Sequence, residues 1–259
     1  MTPTPSVNNT SDEPSYCISF ENVLEAAERI NGVAHRTPVM TSASFSSCDG
    51  RRLFFKVEAM QRTGSFKFRG ALNAIKEKVS NTDEPSLTVV THSSGNHAAA
   101  VALAARLSST DKTAVSATIV MPNNAPAIKV AGVKGFGGTI VPVENTPDAR
   151  EVAADEILKT SGGIFVHPSE DPRVIAGQGT VSLELVAQVK ELGHDIDAVI
   201  IPVGGGGLAS GNTIALRGLL GDAVKVSQES DCCFDWFPLM HQRNASFFVL
   251  FVDYIGRTS

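Results

Sequence analysis

Apolar residues Phe20, Val23, Leu24, Ala27 and Ile30 fall on one face of a 3.6-residue repeat. Ser19 is placed to cap that helix and Gly32 to stop it. Beyond Arg52 the pattern alternates. It predicts strands over 53–57, 87–91, 115–121, 139–143, 164–167, 197–203 and 223–226, and helices over 71–79, 96–107, 126–134, 147–160, 173–191 and 208–220. Runs such as Thr118-Ile119-Val120 and Val199-Ile200-Ile201 lack polar alternation, as strands covered on both faces require. Pro126 and Pro147 stand at helix starts and Gly162-Gly163 at a helix end. Such regular alternation predicts an α/β chain with open, mostly parallel sheets flanked by helices.

Both ends break the pattern. Residues 1–15 are rich in Pro, Ser, Thr and Asn, carry Asp12 and Glu13 but no Arg, and have no apolar stretch. They read as a disordered leader, not a signal or transit peptide. Residues 227–259 hold Cys232-Cys233, the single Trp236 and an aromatic cluster with no helical or strand period, and read as an atypical tail. The apolar run from Phe247 to Val252 is too short to span a membrane.

Composition narrows the function classes. At 259 residues and 42% hydrophobic content the chain has room for a substantial core. A net charge of -5 with Lys and Arg dispersed leaves no basic stripe, which argues against nucleic acid as a partner. The four cysteines, Cys17, Cys48, Cys232 and Cys233, have neither metal-ligand spacing nor the look of a disulfide framework, so a reducing, cytoplasmic location is expected.

Three loops carry chemistry. In Gln61 to Gly70, Lys67 follows a strand and sits at the mouth of a helix between Phe66 and Phe68. Partial desolvation and the positive end of a helix dipole both lower an ammonium pKa, the state a lysine needs to act as a nucleophile or hold a Schiff base. That window alone is equally compatible with a surface lysine on an amphipathic helix. Gly204 to Gly207 join a buried strand to a helix starting near Leu208, so their N–H groups can crowd around a phosphate. A flexible linker would have polar flanks, and these are apolar. A Walker loop would need a following Lys-Ser or Lys-Thr, which is missing. The segment His92-Ser93-Ser94-Gly95-Asn96-His97 also joins a strand to a helix and suits a carboxylate, although Ser94 could equally be an ordinary N-cap. A reactive lysine, a phosphate cup and a carboxylate loop at strand ends together suit pyridoxal phosphate and an amino-acid substrate.

The windows QRTGSFKFRGALNAI, THSSGNHAAA, FVHPSEDPRVIAGQGT and IPVGGGGLASG resemble the tryptophan-synthase-β-like pyridoxal-phosphate enzymes, and within them the serine racemase and serine/threonine dehydratase group. The resemblance runs from about Tyr16 to Val226. It implies a large domain from 16–67 and 164–226 around a small domain at 68–163. It also implies that Lys67 carries the cofactor as a Schiff base, that Gly204, Gly205, Gly206, Gly207 and Leu208 hold its phosphate, that Asn96 bonds its ring hydroxyl and that Phe66 packs beside the ring. Ser93, Ser94, Asn96 and His97 would bind the substrate carboxylate. The implied chemistry acts on serine or threonine: Lys67 removes the Cα proton, and either Ser94 returns a proton to the opposite face or the β-hydroxyl leaves, giving a 2-oxo acid and ammonia. By the same resemblance Mg2+ would fall on Glu229, the Cys233 carbonyl and Asp235, ATP on Ser42, Arg62 and Thr63, and the assembly would be a homodimer.

The chain departs from that group past Val226, where further strands and helices and a serine- or threonine-bearing turn for the pyridine nitrogen are expected. A large domain incomplete at its C-terminus should leave unpaired sheet edges. Three readings follow: an enzyme of this group, an inactive truncated member or partner of a full-length subunit, and a module that binds a phosphorylated ligand without turnover.

Overall fold

The computed structural model describes residues 16–43, 52–229 and 247–250. Helix α1 (Phe20–Ile30) begins with a reciprocal cap: Ser19 Oγ accepts from the Asn22 amide, and Asn22 Oδ1 accepts from the Ser19 amide. Strands β1 (Val39–Thr41) and β2 (Leu53–Lys56) precede helix α2 (Lys67–Ser80). Then β3 (Ser86–His92), α3 (Asn96–Ser108), β4 (Ala114–Pro122), α4 (Ala127–Gly135), β5 (Thr139–Val143), α5 (Pro147–Ser161) and β6 (Ile164–Phe165) alternate. The long α6 (Pro172–Glu191) leads to β7 (Ala198–Pro202), α7 (Gly207–Leu220), β8 (Lys225–Glu229) and β9 (Phe247–Leu250).

Two sheets result. One is ordered β5-β4-β3-β6 and is parallel throughout. The other is ordered β1-β2-β9-β7-β8 and is parallel except for the antiparallel β1–β2 pair. Most elements lie where the hydrophobic period puts them, and three differences are informative. The three-residue β1 is too short to leave a periodic signal. Residues 247–250, placed by sequence in a patternless tail, form β9 between β2 and β7; a continuous apolar run with no alternation is how a parallel, doubly flanked strand is written. Helix α2 starts at Lys67 and not at Ala71, because Gly70 is a contact residue inside its first turn and not a breaker.

That contact sets the spacing of the helices. A Cβ on Gly70 would lie 2.6 Å from the Val174 carbonyl oxygen, and one on Gly177 would lie 2.6 Å from Gly70 Cα. Farther along α6, a Cβ on Gly179 would lie 2.6 Å from the Gly211 carbonyl oxygen of α7. Helix α6 is therefore clamped against both α2 and α7, the helices that begin at Lys67 and at the glycine run. The core continues from α2 into α3, β3 and β4 through Phe68, Leu72, Ile75, Val89, Val101 and Ile119. A second cluster joins α6, β7 and α7 through Leu185, Val199, Ile201 and Leu216.

Candidate active site

Lys67 occupies the first position of α2, preceded by Phe66 as N-cap. Its Nζ donates to the Pro168 carbonyl at 2.8 Å and lies 5.1 Å from the centre of the Phe66 ring. The side chain is half-buried, held between an aromatic face and a neutral carbonyl. The glycine run meets the same loop from the other side. A Cβ on Gly205 would come within 2.6 Å of Ser169 Oγ, and one on Gly207 within 2.7 Å of the Ser169 carbonyl oxygen, so any larger residue would push the loops apart. Gly206, at φ 82°, turns the chain into α7, whose start has no side-chain cap. Its first N–H groups are thus offered by the backbone, where a helix N-terminus favours an anion. Leu208 is buried in the core and can contribute only its backbone.

The serine loop follows β3. The Ser93 amide donates to the Val120 carbonyl at 3.2 Å, and Ser93 Oγ accepts from the Gly95 amide at 3.2 Å. Gly95, not Ser94, is the N-cap of α3. Ser94 and Asn96 are half-buried, and their side chains make no hydrogen bond among the described residues. His97 differs: its ring is buried, with Nε2 3.0 Å from the Val166 carbonyl, so Nε2 carries the proton and donates. Its Nδ1 is buried without a partner. Burial, opposed only in part by the bond to Val166, holds His97 down at about 3, with the Lys67 charge pressing the same way.

The segment from Val166 to Ser169 therefore touches all three loops: Val166 takes His97 and the Thr91 hydroxyl, Pro168 takes Lys67, and Ser169 abuts the glycines. In the sequence this window stands out only through its resemblance to the family, because its contacts are made largely by backbone carbonyls. Beside it the His92 ring lies tilted against Phe165 at 5.1 Å and meets His167 edge-on at 6.5 Å. Burial pulls His92 below its ordinary value.

The pattern of the family described as "Pyridoxal-phosphate dependent enzyme" matches residues 30–237. The chain belongs to that family. It is 43% identical over 209 residues to a serine racemase of Arabidopsis thaliana, covering 81% of this chain and 60% of the relative. The chain thus spans about 60% of the length of that curated relative. Among solved structures, a pyridoxal 5'-phosphate-dependent aspartate racemase superposes with TM-score 0.74 at 38% identity, covering 83% of this chain and 64% of that one. A T.th. threonine deaminase superposes with TM-score 0.72 at 39% identity, covering 82% and 65%.

In this member of the family, a buried polar network lies beneath the lysine turn, and its one mark in the sequence is Lys56 inside an apolar strand. Arg69, in the first turn of α2, is fully buried and forks onto both Glu58 oxygens at 2.9 Å and both Glu184 oxygens at 2.6 and 2.9 Å. Lys56, also fully buried, donates to Glu184 at 2.6 Å, Gln188 at 2.7 Å and the Thr37 carbonyl at 2.7 Å. Two cations thus face two carboxylates. Burial works against the Arg69 charge, but Glu58 and then Glu184 more than offset it and hold the guanidinium above its ordinary range. For Glu184, burial is outweighed by the hydrogen bonds from Arg69, and its carboxyl is held low. For Lys56 burial wins over the attraction of Glu184 and the ammonium is lowered.

Glu229 is the last residue of β8, not a residue beyond a strand ending at Val226, whereas Cys233 and Asp235 lie outside the described residues. Ser42 follows β1; Arg62 donates to the Val33 carbonyl, and Thr63 Oγ1 is buried without a partner. Among the described residues no cluster of His, Cys, Asp or Glu could hold a metal, and no helix is long and apolar enough to cross a membrane.

Proposed function

We propose that the chain is the cofactor-bearing part of a pyridoxal-phosphate enzyme that racemises serine and eliminates water from serine or threonine. The observation that carries this reading is the convergence on one loop: the carbonyl of Pro168 takes Lys67 while Ser169 packs into the glycine run. The residues present fit the cofactor. Gly204 to Gly207 and the start of α7 suit its phosphate, Phe66 and the half-buried Asn96 suit its ring, and the buried hydroxyl of Ser65 beside Lys67 has no partner of its own. When bound, pyridoxal phosphate supplies an electron sink for the negative charge left at the substrate Cα.

The chain's own groups do the rest. Lys67 Nζ, held by an exchangeable bond to a neutral carbonyl, can leave Pro168 and, once it is the neutral amine, take the Cα proton. Ser94 and Asn96 stand at the start of α3, where the helix field favours a substrate carboxylate and eases ionisation of a hydroxyl. Ser94 Oγ is the group that exchanges a proton on the face away from Lys67. His97 contributes through its backbone, since its ring is turned into the core. The reading extends to Mg2+ on Glu229, Asp235 and the Cys233 carbonyl, to ATP near Ser42, Arg62 and Thr63, and to a homodimer.

The test is direct. Pyridoxal phosphate added to the chain should give a visible band, borohydride should fix the cofactor on Lys67, and L-serine should yield D-serine and pyruvate. Ser94→Ala should abolish D-serine formation and spare pyruvate release from L-serine. Failure of borohydride to fix cofactor on Lys67 sinks the reading. Because the chain spans about 60% of its serine racemase relative, a second reading is a cofactor-binding piece that turns over only beside a complete subunit. Fixation on Lys67 without product, restored on mixing with a full-length subunit, would select it.

A further inference from the structure

The first turn of α2 is poorly equipped to hold its own shape. Its N-cap is Phe66, with no side-chain cap bond, and no acidic residue stands in the turn. Two cations, Lys67 and Arg69, sit at the positive end of the helix dipole, and Gly70 follows. Yet Lys67 must be presented in one orientation. What fixes the turn is Arg69, whose guanidinium is bonded on every side: to Glu58 after β2, to Thr37 and the His35 carbonyl ahead of it, and to Thr180 and Glu184 on α6. The same network reaches Lys56 at the end of β2. Gly70 against Gly177 lets the turn approach α6 closely enough for the fork to form.

We propose that Arg69 is a positioning residue, which anchors the first turn of α2 through Glu58 and Glu184 and thereby sets Lys67 for its cofactor. The inference rests on reading Lys67 as the cofactor lysine. It is separable from a general contribution to stability because the fork binds one turn. A planar, multiply bonded guanidinium fixes orientation, and an ammonium in its place carries the charge but cannot span both carboxylates.

The experiment compares the full chain with Arg69→Lys and Glu184→Gln by two readouts. The first is amide exchange without cofactor. In Arg69→Lys, exchange at residues 67–70 should rise by at least about tenfold relative to α3 and α7, since local opening is governed by local contacts. The second is borohydride fixation of pyridoxal phosphate on Lys67 at limiting cofactor, which should fall by about fivefold or more as the lysine loses its orientation. Glu184→Gln should move both in the same direction, less far, and supplies the answer where Arg69→Lys does not fold. Arg36→Lys, which loosens only an exposed pair with Glu191, should change neither. A folded Arg69 or Glu184 variant with unaltered exchange at 67–70 overturns the proposal, and so does a uniform rise across α2, α3 and α7. A parent chain that takes up no cofactor refutes the function proposed above, while the exchange measurement still decides the positioning role.

Discussion

Lys56 and Lys67 are both drawn out of bulk water, and the fold treats them in opposite ways. Lys56 is fully buried at the end of β2, with its ammonium bonded to Glu184, Gln188 and the Thr37 carbonyl. Lys67 is half-buried at the start of α2, against the Phe66 ring and the Pro168 carbonyl. A cation that must stay put receives a carboxylate and a shaped cage, because a buried charge without one is costly. The lysine proposed to form and break a covalent bond is set at a helix start against an acceptor it can leave. Under that proposal burial alone does not mark the reactive lysine; the kind of partner it is given does.

The sharpest way to break this contrast is to remove each lysine in turn. Lys67→Ala should lower turnover by at least about a thousandfold, the upper range for loss of a proton-transferring group, and abolish borohydride fixation while the melting temperature stays near its parent value. Lys56→Met should do the reverse. It leaves Glu184 with one partner fewer and should cost about 3–5 kcal/mol in denaturant unfolding, with fixation on Lys67 retained wherever the protein remains folded. If Lys56→Met instead abolished fixation without loss of stability, the division of labour would be wrong.

A second break acts on what joins the two. Gly177→Ala places a methyl 2.6 Å from Gly70 Cα and 2.8 Å from the Arg69 carbonyl oxygen, so α2 and α6 must separate. Overpacking of this kind costs about 1–3 kcal/mol, and here it should also weaken cofactor fixation because the lysine turn moves with α2. Equilibrium unfolding and cofactor titration on the same preparation test both halves.

A third prediction uses pH. His97 is held at about 3 in the fold against 6.5 for its ordinary value, so the folded chain stays unprotonated where the unfolded chain takes up a proton. Its contribution to stability is therefore full above 6.5 and is lost as pH falls from there toward 3, at about 1.4 kcal/mol per pH unit. His97→Gln removes the titration. The stability difference between parent and variant should narrow or reverse with that slope as pH is lowered, and a parallel pair of curves would contradict the buried neutral ring.

How much of this was legible in the sequence depends on whether the cause is local. That Lys67, the glycine run and the serine loop lie at helix starts was readable, because strand-to-helix junctions and glycine leave local marks. The alternating elements were readable from their period. Arg69, Glu58, Glu184 and Lys56 were not, because their meaning lies in contacts between residues such as Lys56 and Glu184 that are far apart in the chain. Pro168 and Ser169 were missed for the same reason, since a backbone carbonyl that takes Lys67 carries no side-chain signature. The tail misled in the other direction: Phe247 to Leu250 lacks the alternation sought in a strand, yet pairs on both sides as β9.

The smallest prediction isolates stability from the site. Ser19 caps α1, and α1 reaches the lysine helix through Arg29, whose guanidinium donates to Asn73 Oδ1 at 2.5 Å. Ser19→Ala removes the Oγ that accepts from the Asn22 amide and should cost about 1 kcal/mol, the usual loss for a missing N-cap. That contact lies toward the middle of α2, beyond the turn that Arg69 holds, so the loss should not reach Lys67. Fixation on Lys67 and amide exchange at 67–70, measured under conditions where the chain stays folded, should be unchanged. If so modest and distant a loss did disturb them, the lysine turn would depend on overall stability, and the opposite treatment of Lys56 and Lys67 would no longer follow from their immediate partners.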